Sequence, residues 1–523
     1  MYPGVTGTSN LAIFFVLKGE CATGYTLQAD GSCQSRPPVQ VCPVGNPVIP
    51  GSGTKTYVEP DDGGSAELPI TLAYRSNSVY GSGAGGGQWT VSWQRSLDTS
   101  LATHPTSAQV TVQHDDGSAS TFTPNGTAWS ASNTQDTLQP VTDVSGKTTG
   151  WQYTVVNMGA VETYNTGGKL QSVRERNGRT TTLSYNAASQ LSAVTAPSGR
   201  SLTLAYDASG RVASVAAPDE AVTRYGYNTA GMLSTVTRPD GTTRQYVYED
   251  SRFPTALTGV IDENGSRYAT YAYDDQGRAI SSTLAGGANT YQFQYGDNYQ
   301  TTVTDPTGKT SVYSFLKQNG VLLPTAISAP CGLCGSTRQS SSYDANNNLT
   351  QETDYNGTVT THAYDSDKRE IQRVDGASTA NARTTTTEWH KIWNLPLRIA
   401  SPTKLETYSY DSNGNLTRYS ETPTADSDGS QGLSAATTGS TRTTNWTYTA
   451  DGRVATSSGP RTDVATSTTY VYRTADDTST PPQYRKGDLY QIVDPLGHAT
   501  TINQYDASGR PLQMTDANGI VTA

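Results

Sequence analysis

Cys331 and Cys334, in the stretch CGLCG, are the sharpest local signal for chemistry in the chain. A CxxC pair can be half a zinc site, a redox pair or a local disulfide, because the thiolate is both a metal ligand and a nucleophile. Tetrahedral zinc needs two more ligands, and no second CxxC or histidine pair follows at the usual spacing. A redox pair opens a helix in a thioredoxin-like unit, and the text around this one is strand-like. The pair therefore reads as a structural staple or inert loop, with Cys331 and Cys334 as the only metal candidates. Cys21, Cys33 and Cys42 stand apart from it, and CATGYTLQADGSC reads as a cysteine-bounded loop with a candidate Cys21–Cys33 disulfide.

Other polar groups offer less. Glu388 and His390 could do acid–base work, but Trp389 and Trp393 beside them suit a buried aromatic anchor, and no nucleophile or third group accompanies them. The pairs Asp61-Asp62, Asp115-Asp116 and Asp274-Asp275 resemble glycosidase carboxylates or calcium ligands in composition only. They fall in turn text, where Asp is favoured for its bonds to the backbone. The serines and the 5 histidines form neither a nucleophile elbow nor a zinc-binding helix. No catalytic residue and no cofactor is assigned.

The elements that would have to position any such group follow one rule. Tyr164, Tyr185, Tyr206, Tyr227 and Tyr248 recur every 21 residues. A fixed period of this size signals a repeat architecture. Gly168, Gly210 and Gly231 stand four residues after a tyrosine, and Gly178, Gly199 and Gly241 seven before one. Each unit thus holds two glycine turns separated by strand-length text. Leu183 and Tyr185, Leu204 and Tyr206, and Tyr225 and Tyr227 alternate as on one face of a strand. The other strand spaces its apolar pair by three, as in Leu191 and Val194 or Val212 and Val215, which predicts a bulge or strong bend. The fold class expected is all-β: tandem hairpins in one long, curved, spiralling antiparallel sheet, open because the strands are too few to close.

Tyr206-Asp207 and Tyr505-Asp506, each followed by Gly-Arg (Gly210, Gly509), resemble the YD repeats of the Rhs family, shared with the C components of insecticidal toxin complexes and with teneurins. The spacing from Asn356 through Tyr364 to Asp365 fits the same pattern. The likeness covers residues 151–523, with inserted Thr- and Ser-rich stretches and an apparent end in mid-repeat, where the turn at Asp516, Asn518 and Gly519 lacks its returning strand. Upstream, residues 46–150 are similar to an Rhs N-terminal region through Asn46, Pro47, Lys55, Tyr74, Arg75, Trp89 and Trp93. That region reads as an acidic-Pro break, a strand from Leu68 to Tyr74, a glycine link and a strand from Trp89 to Trp93. Residues 1–45 read as a leader or linker, and Leu11–Leu17 as a buried strand rather than a signal peptide. The resemblance implies an N-terminal fragment of a polymorphic toxin: a shell that encloses a C-terminal toxin, with that toxin and a delivery machinery as partners, secreted or at the cell surface. A family motif for self-cleavage, Asp-Pro-x-Gly before a Gly-rich run, is not met. Asp305 and Asp494 begin Asp-Pro-x-Gly but lead into ordinary strands, and are read as turns.

Composition agrees. With 34% hydrophobic and 16% charged residues the chain could pass for disordered, but 32 tyrosines in alternating text argue for sheets with wetted faces. A net charge of −10 without a basic run argues against nucleic acid. No stretch is long and apolar enough for a membrane-spanning helix. Two rival readings are a surface adhesion or carbohydrate-binding module using exposed tyrosines, and a polysaccharide-active β-solenoid enzyme, which would need convergent carboxylates.

Overall fold

A computed structural model describes residues 43–523 except 62–63, 66, 79–84, 105–106, 127 and 331–337, and before them only two strands. Those two, Tyr25–Leu27 and Cys33–Ser35, pair antiparallel within a separate small unit. Both metal candidates and the Cys21–Cys33 disulfide lie outside the described side chains.

The rest is nearly all strand. Ser96–Asp98 opens a sheet of 37 strands that follow one another in chain order, each antiparallel to the last, down to Val521–Thr522, without closing. The turn at its end does return: Thr515 and Met514 pair with Val521 and Thr522. This corrects the reading that the returning strand is absent.

Each 21-residue unit is two strands and two turns. Val194 pairs with Leu183, but Tyr185 pairs with Leu191, so Ser192 has no partner across the hairpin. The same shift recurs opposite Tyr164, Tyr206 and Tyr227. The extra residue turns positions three apart onto one face. Leu191 and Val194, Val212 and Val215, and Leu233 and Val236 are all buried. The turn glycines hold positive φ, +79° at Gly210 and +81° at Gly199, where a Cβ would be strained.

Consecutive turns alternate between two rims of the sheet. The tyrosine-side turns lie on one rim and the turns at 178, 199 and 241 on the other. The sheet winds far enough for the second rim of an early stretch to meet the first rim of a later one. Gln135 donates to the Lys368 carbonyl (2.7 Å), Asn394 to Asn157 (3.1 Å), and Arg510 reaches Asp219 (2.7 Å). These contacts join residues 233, 237 and 291 positions apart.

A four-stranded sheet, Val48–Ile49, Thr54–Asp61, Ile70–Arg75 and Trp89–Val91, packs against the long one. The Ala279 amide bonds to the Gly53 carbonyl (2.8 Å), and Trp89 Nε1 donates to the Tyr248 hydroxyl (2.7 Å). Approach is close at Gly87, where a Cβ would come within 2.2 Å of the Met232 sulfur. Two expectations change here. The acidic-Pro stretch opens inside the strand Thr54–Asp61, whose last two residues are Pro60 and Asp61, with Pro60 still paired opposite Thr71. Its other neighbour, Val48–Ile49, pairs only with Lys55 and Thr54, so Pro60 sits beyond that ladder and its missing amide is tolerated. The strand from Trp89 stops at Val91, because Trp93 takes a positive φ of 70°.

Candidate functional site

The repeated motif explains itself once its side chains are in place. The ladder between Leu191–Thr195 and Ser201–Tyr206 runs from Thr195–Ser201 to Ala193–Thr203 and then stops. The Leu191 carbonyl, beyond the last rung, accepts the Tyr206 hydroxyl at 2.8 Å. Tyr185, Tyr227 and Tyr248 make the same bond to Leu170, Val212 and Leu233 (2.6–2.7 Å). It persists through the irregular later units, at Tyr364 to Leu349 (2.9 Å) and Tyr505 to Leu489 (2.6 Å). The tyrosine thus supplies the donor that the bulge removes, at roughly 1 kcal/mol each. Burial pushes the Tyr185 and Tyr206 phenols up to about 12. Tyr164 is the exception: its hydroxyl donates to the buried Glu162 carboxylate (2.5 Å).

The aspartate closes the turn. Asp207 Oδ1 accepts the amides of Ser209 and Arg211 (both 2.9 Å), and its Oδ2 accepts Arg211 Nε (2.8 Å). Asp506 holds Arg510 in the same way (2.8 Å to its amide), and Asp365 holds Arg369. Burial raises the Asp207 carboxyl, but the bonds from Arg211 outweigh it and hold the group below its ordinary value. The arginine then lies over the next tyrosine: Arg211 is 4.3 Å from the centroid of Tyr227 and Arg278 is 4.4 Å from that of Tyr295. Tyrosine, aspartate, glycine and arginine form one chain of contacts along the rim.

The rims are locked by charge. Arg200, 5% exposed, makes two 2.8 Å bonds to Asp488 and a 3.0 Å bond to the Ala507 carbonyl. Under the four-stranded sheet, Glu59 is fully buried, accepts from Tyr57 (3.0 Å) and Arg244 (2.9 Å), and pairs with Arg238. Glu263 takes the other sides of both arginines. Burial alone would raise its carboxyl, but hydrogen bonds, including those from the two arginines, bring it to about 2. Lys55 is also fully buried; its Nζ bonds to the Asn46 and Thr56 carbonyls and lies 4.0 Å from the Tyr271 ring centroid. Burial lowers its pKa well below the ordinary value. Arg95 bridges Asp115 (2.9 Å) and Glu162, and burial raises the Asp115 carboxyl.

The other polar candidates take structural places. Glu388 pairs with Arg398 (2.5 Å). Trp389 donates to the Glu370 carbonyl (2.9 Å) and His390 stacks on Trp393 at 4.4 Å. His390 Nδ1 accepts the Ile392 amide (3.1 Å), and burial lowers the imidazole's pKa. Asp274 holds Arg278, while Asp275 pairs with Arg252 (2.6 Å). Asp305 and Asp494 cap their turns through the amides of Thr307 and Leu496 (2.9 and 2.8 Å). Among the described residues no three His, Cys, Asp or Glu side chains gather to hold a metal ion, and no helix is long and apolar enough to cross a membrane.

Glu59, Glu162, Arg200 and Asp488 are the functional charges that the sequence reading passed over. Each is used once, across 67 to 288 residues of sequence, so no local spacing announces it.

Comparison with known proteins follows this geometry. Residues 89–328 match the family described as Teneurin YD-shell, and residues 343–380 the family described as RHS Repeat. No curated protein matches. A Tc holotoxin pore of Photorhabdus luminescens is 13% identical, with a TM-score of 0.42, over 86% of this chain and 29% of that one. A crystal structure of TcdB2-TccC3 is 12% identical, with a TM-score of 0.39, over 94% of this chain and 34% of that one. The chain therefore spans about a third or less of the length of these structures.

Proposed function

We propose that this chain, which belongs to the Rhs/YD-repeat family, is a wall segment of a shell that encloses a toxin polypeptide. One observation carries the reading. The sheet is continuous through 37 strands, and where it winds back its rims are bonded together by Arg200, Asn394, Gln135 and Arg510. Ladder bonds seal the wall along its length, and rim bonds seal it between windings. Enclosure needs no catalytic group, so the role is structural. The partners in this reading are a C-terminal toxin domain and a secretion or delivery machinery, and the site of action is outside the producing cell, in competitor or host cells.

The test uses the gene product with whatever coding sequence follows Ala523. Further YD units and an unrelated tail are expected. That tail should resist protease in the native protein and be digested once the sheet is unfolded. A tail cut at the same rate in both states would remove the enclosure reading.

The tyrosine ladder does not support the carbohydrate-binding alternative. The repeat tyrosines are buried or half-buried, their hydroxyls are engaged, and cationic side chains cover the rings of Tyr185, Tyr227 and Tyr295.

A further inference from the structure

Two of the carboxylate pairs described above are bridged by arginine. Arg238 and Arg244 join Glu59 to Glu263, and Arg95 joins Asp115 to Glu162. A third pair has no such bridge. In the insertion between Leu416–Pro423 and Arg442–Tyr448, the Asp428 carboxylate lies within hydrogen-bond reach of that of Asp426. Among the described residues no Lys, Arg or His pairs with either. Arg383 bonds the Ser427 carbonyl instead (2.6 Å). Two like charges in contact repel unless something positive neutralises them.

The insertion holds this pair in place. The Thr403 amide bonds to the Asp426 carbonyl (2.6 Å) and the Thr384 amide to the Asp428 carbonyl (2.8 Å), which fastens the insertion to the long sheet. Asp426 Oδ2 accepts the Gln431 amide (2.9 Å) and Asp428 Oδ1 the Ser430 amide (3.0 Å). Burial alternates along the chain: Thr424 and Asp426 are 6% and 2% exposed, while Pro423, Ala425 and Ser427 are exposed. Thr424 and Asp426 therefore point to the same, covered side. The Thr424 hydroxyl is buried there without a hydrogen-bond partner, a costly state unless a ligand uses it. All three groups offer oxygen, and the insertion contains no Cys or His to favour a softer metal.

We propose that Asp426, Asp428 and Thr424 form a calcium site that pins this insertion to the sheet. Asp428 is exposed, so the ion has an entry path and water completes its shell. Two carboxylates place the affinity on the order of 10⁻⁴–10⁻³ M, the range of extracellular modules. The site depends on no enclosed cargo.

The test titrates calcium into the chelator-treated full chain and follows amide exchange at Thr403 and Gln431. Calcium at about 5 mM should slow both by about tenfold, and potassium chloride of equal ionic strength should not. Asp426→Asn and Asp428→Asn should each abolish the response. Without calcium both variants should exchange no faster than the parent at Thr403, because each relieves the repulsion. Thr424→Val keeps the side chain's shape, removes the hydroxyl and should weaken calcium several-fold. The assignment is overturned if calcium leaves both amides unchanged, if potassium chloride protects them equally, or if the response survives either asparagine variant. It is also overturned if Thr424→Val binds calcium as the parent does, or if magnesium, which demands a near-ideal octahedral shell, protects better than calcium.

Discussion

The repeat units of the long sheet and the contact between it and the four-stranded sheet are stabilised by different means. In the long sheet the same small bonds recur, tyrosine to carbonyl and aspartate to amide, each between residues at most a unit or so apart. The four-stranded sheet is tied to the long one by contacts used once that rest on buried charge: Lys55 over Tyr271, and Glu59 bonded to Arg238 and Arg244 across 179 and 185 residues. A repeated local bond tolerates the loss of one copy, because the neighbouring units keep theirs. A bond used once has no such reserve, because no other unit makes it.

The largest effect should come from attacking every copy of the local bond together, with alkali. The Tyr185 and Tyr206 phenols stand at about 12, against an ordinary value near 10. A raised phenol contributes stability that is fully present below the unfolded value and is lost as pH climbs through the folded one. Lys55 works in the other sense: its lowered pKa makes folding more favourable as pH rises toward the ordinary lysine value. It is one group against a ladder of phenols, so the sheet should unfold cooperatively between about pH 10 and 12. Phenolate absorbance and sheet circular dichroism should change together. Full tyrosine ionisation near pH 10 with the sheet signal intact would refute the ladder.

Next in size is Glu59→Ala, which leaves Arg238 and Arg244 with Glu263 as their remaining carboxylate and should cost about 2–3 kcal/mol through the lost charge-assisted bonds. The loss should appear as faster amide exchange across Thr54–Asp61 and Ile70–Arg75, with the units from Tyr343 onward unaffected. A cost below about 1 kcal/mol would mean that the buried cluster contributes no more than a surface pair.

Two glycines of one type sharpen the contrast. Gly168 and Gly241 both hold positive φ in repeat turns, at +76° and +85°. A Cβ at Gly241 meets nothing within 4 Å, so Gly241→Ala should cost only the left-handed penalty, roughly 1–2 kcal/mol. At Gly168 it would fall 1.9 Å from the Leu97 carbonyl oxygen, where the first strand of the long sheet bonds back through the Leu97 amide to the Gly168 carbonyl (2.8 Å). Gly168→Ala should cost clearly more and should free the strand Ser96–Asp98. Equal thermal shifts for the two variants would contradict that close approach.

The same contrast decides what could be read in the sequence. The tyrosine period, the glycine turns and the three-residue spacing of Leu191 and Val194 are each written many times, and together they gave the units, their boundaries and the bulge. What the tyrosine hydroxyl does was not legible, because its acceptor is a backbone carbonyl freed by that bulge. Lys55 carried a family likeness without a physical reason, and Glu59 was taken as part of a break because Pro60 follows it. A proline ends a strand only where its amide would be needed, and the chain alone does not reveal that the neighbouring ladder has already stopped. Arg200 and Asp488 are brought together by a full winding of the sheet, which no local pattern encodes.

The smallest effect is the most specific. Tyr206→Phe keeps the ring and removes the bond to the Leu191 carbonyl and a long one (3.4 Å) accepted from Gln94, so it should cost about 1 kcal/mol. Tyr164→Phe looks identical in sequence but removes a donor from Glu162, which is 1% exposed and shares Arg95 with Asp115. A bond to a buried carboxylate is worth about 1.5–3 kcal/mol, so this variant should lose two to three times as much. Measured side by side by denaturant titration, the two substitutions weigh the local and the buried-charge strategies within a single repeat type. If they cost the same, Tyr164 is one more rung of the ladder, and the buried cluster at its first unit adds nothing to the fold.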